Sequence, residues 1–197
     1  MQEIEISGEI HTVSYRRLWP GEYHCFRDHL LRLDMNSRRL RFGSPVSDNL
    51  ITSYAEHASK LGTMIKAAFV DRTMRGAGEL WPLDGPFGSK AEAAFSVEQP
   101  FQGSGIGDAL LDRLIIAARN RGITTLYMMC LRENARMRHL AVRHEADLTF
   151  QEGEVEGRIS RCLPTPLSVA SELWTETDAL MTAILRWQRS DHSPVEL

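Results

Sequence analysis

The stretch from Ala91 to Arg121 constrains this chain more than any other, because a short strand runs into a glycine-rich turn that opens directly into a helix. Alternation over 91–97 places Ala91, Ala93, Phe95 and Val97 on one face and Glu92, Ala94 and Ser96 on the other, as a half-buried strand requires. Downstream, Ile106, Leu110, Leu111, Leu114, Ile115 and Ala118 recur at helical spacing, with Gly122 as the stop. Between strand and helix stand Gln102-Gly103-Ser104-Gly105-Ile106-Gly107. The first turn of a helix has amide N–H groups without partners and the positive end of the helix dipole, so it binds anions where no side chain blocks the approach. The three glycines remove such side chains, which predicts a diphosphate cradle. The plainer reading is a tight turn that needs positive φ at one or two of them.

What is missing narrows the ligand. A P-loop needs Gly-Lys-Ser/Thr at the helix start, but Asp108 follows Gly107 and no lysine is near. A dinucleotide fingerprint needs its last glycine three places after the second, and an acidic residue ending the next strand. Here the next strand ends Cys130-Leu131-Arg132. ATP by the P-loop route and NAD both fit poorly.

The spacing Gln102-x-x-Gly105-x-Gly107 after a strand ending in Val97 resembles motif A of the GNAT superfamily of acyl-CoA N-acyltransferases. The similarity continues through the strand Thr125 to Leu131, then Glu133-Asn134-x-x-Met137-x-x-Leu140-Ala141, and a closing segment Asp147 to Cys162. Ser37-Arg38-Arg39-Leu40-Arg41-Phe42 with Val46-Ser47-Asp48 resembles the N-terminal region of bacterial protein-lysine acetyltransferases. About 160 residues are covered in the expected order. The resemblance implies an α/β (α+β) GNAT fold: a mixed, mostly antiparallel sheet flanked by helices, with a central parallel strand pair that splays to admit pantetheine. It implies acetyl-CoA as co-substrate, bound by Phe95, Ser96 and Val97, by Gln102, Gly103, Ser104, Gly105, Ile106 and Gly107, and by Asn134. The acceptor it implies is a primary amine, on a protein lysine or a small molecule.

Composition sets the outer bounds. With 197 residues, 43% hydrophobic and 25% charged, the chain is long enough for one substantial core. A net charge of −3 and a pI near 6.2 argue against a general nucleic-acid or membrane-surface binder. The N-terminus lacks a signal-peptide pattern and no stretch is long and apolar enough to span a bilayer, so a cytoplasmic location is expected. Cys25, Cys130 and Cys162 fit neither a disulfide framework nor a zinc site, and the histidines show no HExxH pattern; no metal is implied.

Along the rest of the chain, Ile10 to Arg17 is expected as a first, edge strand. Pro20 opens a helix carrying Phe26, Leu30, Leu31 and Leu33 and ending before an Asn36-Ser37 turn. Ser47 caps a second helix to about Leu61, with Leu50, Ile51, Tyr54 and Ala58 inward. The connection holds Arg38, Arg39 and Arg41: either a solvated basic patch or, by the resemblance, a border of the acceptor site favouring a carboxylate- or phosphate-bearing acceptor. Thr63 to Val70, Arg75 to Leu83 and 90–98 form an antiparallel meander. The nearly continuous apolar run Thr124 to Leu131 reads as a strand buried on both faces. Arg136 to His144 is a helix, and Asp147 to Gln151 with Val155 to Arg161 a hairpin. After Pro164 and Pro166, Leu167 to about Arg189 reads as an amphipathic helix. The expected division is residues 1–163 as the acyltransferase domain and 164–197 as a helical extension covering it, with a homodimer contact as the alternative role.

Acyl transfer to an amine needs the amine neutral. A lysine-like amine of pKa ~10.4 is neutral in about one molecule in a few thousand at pH 7, a deficit of roughly 4 to 5 kcal/mol. A positioned base contributes a factor of about 10² to 10⁴, so a carboxylate near the acceptor is expected. Glu92 matches the glutamate base of the bacterial protein acetyltransferases, and Glu79 in the preceding strand is the second candidate. A backbone N–H near Ser96 to Glu98 would polarise the carbonyl. Asn134 serves equally as a helix N-cap. Many GNAT enzymes place a tyrosine acid seven residues after that asparagine, whereas this chain has Ala141. Two other functions stay open: a non-catalytic acyl-CoA sensor, suggested by that absence, and a nucleotide- or NAD-dependent enzyme on the same loop.

Overall fold

The computed structural model describes residues 2–6, 8–60, 63–85, 88–160 and Glu172. In chain order the elements are β1 (Gln2–Ile6), β2 (Glu9–Arg17), α1 (Tyr23–Leu31), α2 (Met35–Phe42), α3 (Asp48–Lys60), β3 (Met64–Val70), β4 (Thr73–Pro82), β5 (Lys90–Val97), α4 (Ile106–Arg119), β6 (Thr125–Leu131), α5 (Ala135–Arg143), β7 (Asp147–Phe150) and β8 (Glu154–Ser160). The strands form one sheet in the order β1-β2-β3-β4-β5-β6-β8-β7. Every neighbouring pair is antiparallel except β5 with β6, as a strand–helix–strand crossover requires.

Each face of the sheet has its own helices. On one, α4 and α5 bury Leu111, Leu114 and Ala118 with Ala91, Ala93, Leu126 and Met128. On the other, α1 and α3 bury Phe26, Leu30, Ile51 and Ala55 against Ile65, Ala67 and Ala77. Close approach of α4 depends on glycine in β4: a Cβ at Gly78 would meet Leu114 Cδ1 at 3.1 Å and Phe95 Cε1 at 3.3 Å. Gly78→Val is therefore expected to cost about 1–3 kcal/mol through overpacking, measured as a shift in the urea midpoint at unchanged m-value.

Four expectations are corrected. The edge strand is β1, not the segment 10–17, whose other edge it pairs through Gln2↔Val13 to Ile6↔Glu9. The arginine-bearing connection is itself a helix, α2: Asp34 caps it by accepting from the Ser37 amide at 2.9 Å, and Gly43 closes it in the left-handed region. Leu50 is exposed, although Ser47 does cap α3 through the Leu50 amide. Finally, β6 is not buried on both faces, since Met129 is 41% exposed where that face borders an open cleft. The expected helix 167–189 and Cys162 lie outside the described residues, Glu172 apart. Glu172 accepts from Asn120 Nδ2 at 2.6 Å and pairs with Arg121 and Lys66. No described helix is long and apolar enough to cross a membrane, and no metal-competent cluster exists among the described residues.

Candidate functional site

The parallel strands β5 and β6 pair only at Lys90↔Thr125, Ala91↔Leu126 and Glu92↔Tyr127. Beyond Glu92 they diverge, while β5 stays paired to β4 as far as Val97. The bonds from the Glu98 amide to the Arg75 carbonyl and from the Leu83 amide to the Lys90 carbonyl set the alternation along β5. Even-numbered residues bond β4, so the N–H and C=O groups of Phe95 and Val97 point into the gap. Gln102 Nε2 donating to the Val97 carbonyl at 2.8 Å fits that direction. The amides that face the gap thus belong to Phe95 and Val97, not to Ser96 or Glu98.

A cleft of about 420 Å³ opens at this gap. The glycine loop and the start of α4 form one wall, and Phe95, Ser96 and Val97 the floor. The other walls are α2, through Ser37, Leu40 and Arg41, and α5 with the Asn134 turn before it. Gly105 is the N-cap of α4, with φ +87° and no side-chain cap, so the amides of the first turn face outward unpartnered by any capping group. Gly103, at φ +82°, and Gly105 are needed for conformation, whereas Gly107 lines the cleft at ordinary φ with only Leu140 within 4.0 Å of a hypothetical Cβ. The glycines thus divide: Gly103 and Gly105 meet the conformational demand of the turn, and Gly107 leaves the approach to the first helical turn open. A fixed array of amides at a helix N-terminus suits a diphosphate. Asp108 in that first turn would repel it, but His144 Nε2 lies 3.1 Å and Arg143 3.5 Å from its carboxylate.

The remaining binding candidates sort by geometry. Asn134 lines the cleft and caps α5 by accepting from the Met137 amide at 3.1 Å, so it can fill both expected roles. Gln102 lines the cleft as a brace, bonding Val97, Ser37 and Arg136. The Ser104 hydroxyl folds back onto the Phe101 carbonyl, and Ile106 is buried among Val13, Ala68 and Val70. Sequence reasoning missed Arg136, His139, Leu140 and Arg143. Their i, i+3, i+4, i+7 spacing on α5 was the available signal, and the basic members suit an anionic ligand. Ala141, at the tyrosine position, is buried against Gly157 and Met128 and does not line the cleft.

A second cleft of about 250 Å³ adjoins the first, sharing Leu40, Arg41, Phe95, Asn134 and Met137. Glu92 and Glu154 line it with Phe42, Met129, Cys130 and Leu131. Glu92 is half-buried, and burial pushes its pKa up; Arg41 opposes that shift and Glu79 adds to it. Glu79 itself is fully buried. It accepts from Arg41 Nη2 at 2.7 Å, Tyr54 Oη at 2.6 Å and Trp81 Nε1 at 3.2 Å, and lines neither cleft. Burial alone would lower the Arg41 pKa, but Glu79 and Tyr54 raise it. All three arginines of α2 are internally engaged: Arg38 with Asp48 and the Leu31 and Leu33 carbonyls, Arg39 with Glu133, and Arg41 with Glu79. They leave no cationic cluster for an acceptor carboxylate or phosphate, because α2 turns each one onto a neighbouring oxygen.

The profile of the acetyltransferase (GNAT) family matches residues 23–145. No curated protein sequence matches the chain significantly. Among solved structures, the GNAT domain of S. lividans PAT aligns with a TM-score of 0.63 at 21% identity, covering 80% of this chain and 96% of that one. The structure of yncA from Salmonella typhimurium with its cofactor acetyl-CoA aligns at 0.58 and 16% identity, covering 76% and 94%. PaiA N-acetyltransferase from Thermoplasma acidophilum in complex with coenzyme A aligns at 0.57 and 15%, covering 76% and 99%. With the family profile spanning well over half its residues, a sheet that opens at one parallel pair and an uncapped glycine-led helix at the opening, this chain belongs to the GNAT acetyltransferase family.

Proposed function

We propose that the protein transfers an acetyl group from acetyl-CoA to a primary amine by direct attack in a ternary complex, with Glu92 as general base. The observation that carries this is the position of Glu92 at the last parallel pair, where the strands part and two clefts adjoin. The larger cleft has the uncapped amides and open Gly107 surface that a coenzyme A pyrophosphate needs. The smaller holds the carboxylate that can take the amine's proton. A carboxylate whose pKa is raised by desolvation is a stronger base than one in water. The Phe95 and Val97 amides supply fixed donors for the carbonyl oxygen as it gains charge.

The ionic content of the second cleft favours a cationic acceptor without a carboxylate beside its amine. Glu92 and Glu154 are acidic, and the Arg41 charge is already matched by Glu79. A lysine side chain or a small diamine fits that balance.

The test is calorimetric titration with acetyl-CoA, with NAD and ATP as controls, followed by turnover on lysine peptides and diamines. Saturable binding of acetyl-CoA alone, with turnover, is expected; no binding would sink the proposal, and binding without turnover on any amine would leave a sensor. Gly107→Val places a side chain in the cradle without φ strain. It is expected to weaken acetyl-CoA binding by about 10-fold or more, at nearly unchanged melting temperature, as the loss of charge-assisted bonds worth roughly 1.5–3 kcal/mol implies.

A further inference from the structure

Ser96 and Glu98 flank Val97 and project to the α1 side of the sheet, where both meet one histidine. His29, on α1, is completely buried. Its Nε2 lies 2.9 Å from Ser96 Oγ and its Nδ1 3.1 Å from Glu98 Oε1. Glu98 also accepts from Arg32 Nε at 2.9 Å and Arg75 Nη1 at 2.7 Å. Burial works against the Glu98 carboxylate, yet the bonds from His29 and Arg75 carry its pKa below the usual range. A carboxylate only accepts, so Nδ1 carries the imidazole proton and Nε2 accepts from the Ser96 hydroxyl. Burial keeps the ring neutral, with the pull of Glu98 the lesser effect.

The arrangement has the chemical order of a nucleophilic triad, but its position in the fold gives it another use. From Ala93 onward β5 has lost β6 on one edge, and its pairing to β4 ends at Val97. At Glu98 the chain leaves the sheet for the glycine loop. The segment whose Phe95 and Val97 amides face the gap is therefore held on its open side by few groups: Gln102 bonds the Val97 carbonyl, Arg32 and Arg75 bond Glu98, and among the described residues His29 is the one side chain that grips the residues on both sides of Val97.

We infer that His29 is a positioning residue for acyl transfer: by bonding Ser96 and Glu98 together it fixes the placement of the Phe95 and Val97 amides that receive the thioester carbonyl. This rests on the acetyl-CoA reading of the larger cleft. A displacement of about 1 Å at such donors costs on the order of 10²-fold in rate. The role is distinct from anion binding at the loop, which His29 does not touch.

The test compares acetyl-CoA with coenzyme A by amide resonances, and needs no acceptor. In the wild type, both ligands are expected to shift Gly103, Gly105 and Gly107, and only acetyl-CoA to shift Phe95 and Val97. His29→Leu is expected to keep the glycine response and lose the acetyl-dependent one, with acetyl-CoA binding about 5-fold weaker and coenzyme A binding unchanged, the size of one lost hydrogen bond. His29→Gln, which can donate and accept, restores the response. Should the leucine variant not fold, Ser96→Ala removes one arm of the grip and must show the same selective loss. An unaltered acetyl-dependent response in these variants overturns the inference, as does a uniform weakening of both ligands. Mass-spectrometric detection of acetyl on Ser96 would also overturn it, in favour of a nucleophilic serine. A wild type with no glycine response removes the acetyl-CoA reading itself, a separate failure.

Discussion

Glu92→Gln is expected to lower amine turnover at pH 7 by about 10² to 10³-fold, leaving the affinity for acetyl-CoA within a factor of about two. The amide keeps the shape of the side chain at the parting of β5 and β6 but cannot take a proton. The deficit should shrink above pH 9, where more of the acceptor is already neutral. In the wild type, the acidic limb of kcat/KM should lie at higher pH than an ordinary carboxylate gives, because burial raises the Glu92 pKa. Stability moves the opposite way. Between the ordinary and the raised pKa the folded state binds more protons than the unfolded one, so stability falls as pH rises through that window. Above it the folded protein carries a partly desolvated carboxylate, and glutamine removes that burden. The melting temperature of Glu92→Gln at pH 7 should equal or exceed that of the wild type. Equal turnover of mutant and wild type at pH 7 would take Glu92 out of the mechanism.

Arg41→Ala is expected to destabilise the fold by about 3–5 kcal/mol, because it leaves Glu79 buried without its cation. Chemical denaturation measures the loss. Tyr54 and Trp81 still donate to Glu79, but two neutral hydrogen bonds do not replace a guanidinium in a dry site. The paired replacement Arg41→Met with Glu79→Leu should recover most of the stability, since neither charge is then left alone. If Glu79 were instead a base exposed to the acceptor, Glu79→Gln would abolish turnover while leaving stability nearly intact. The buried triad of Arg41, Tyr54 and Glu79 predicts the reverse emphasis: a folding defect first, with activity lost through displacement of α2. Arg41 also lines both clefts and has a buried Nε with no partner among the described residues, so α2 is sensitive to its loss on the site side as well.

The segment from Ala91 to Gly122 was legible because its chemistry is local. Alternation set the β5 faces, three glycines marked the turn, and helical spacing gave α4; each depends on residues within one or two turns of chain. The same locality placed Asn134 as the α5 cap and Ser47 as the α3 cap. The helix α2 had local signals too, in Asp34 and Gly43, but its basic composition read as a loop. Burial was less legible. The apolar run of β6 could not reveal that one face borders an open cleft, because hydrophobicity reports affinity for an interior and not whether a helix arrives to cover it.

By itself, then, the sequence determined a parallel strand pair joined through a glycine-led helix start without a side-chain cap, because backbone amides at a glycine turn need no distant partner to be presented. Only the tertiary structure decided which carboxylate is available. Glu79 and Glu92 are the same residue type on neighbouring strands, yet the first is enclosed by Arg41, Tyr54 and Trp81 while the second opens on a cleft. It likewise brought His29, sixty-seven residues away in sequence, against Ser96. Charges and buried polar groups interact through space at a few ångströms, and which groups come that close is set by the packing of α1 and α2 on the sheet, not by any spacing along the chain.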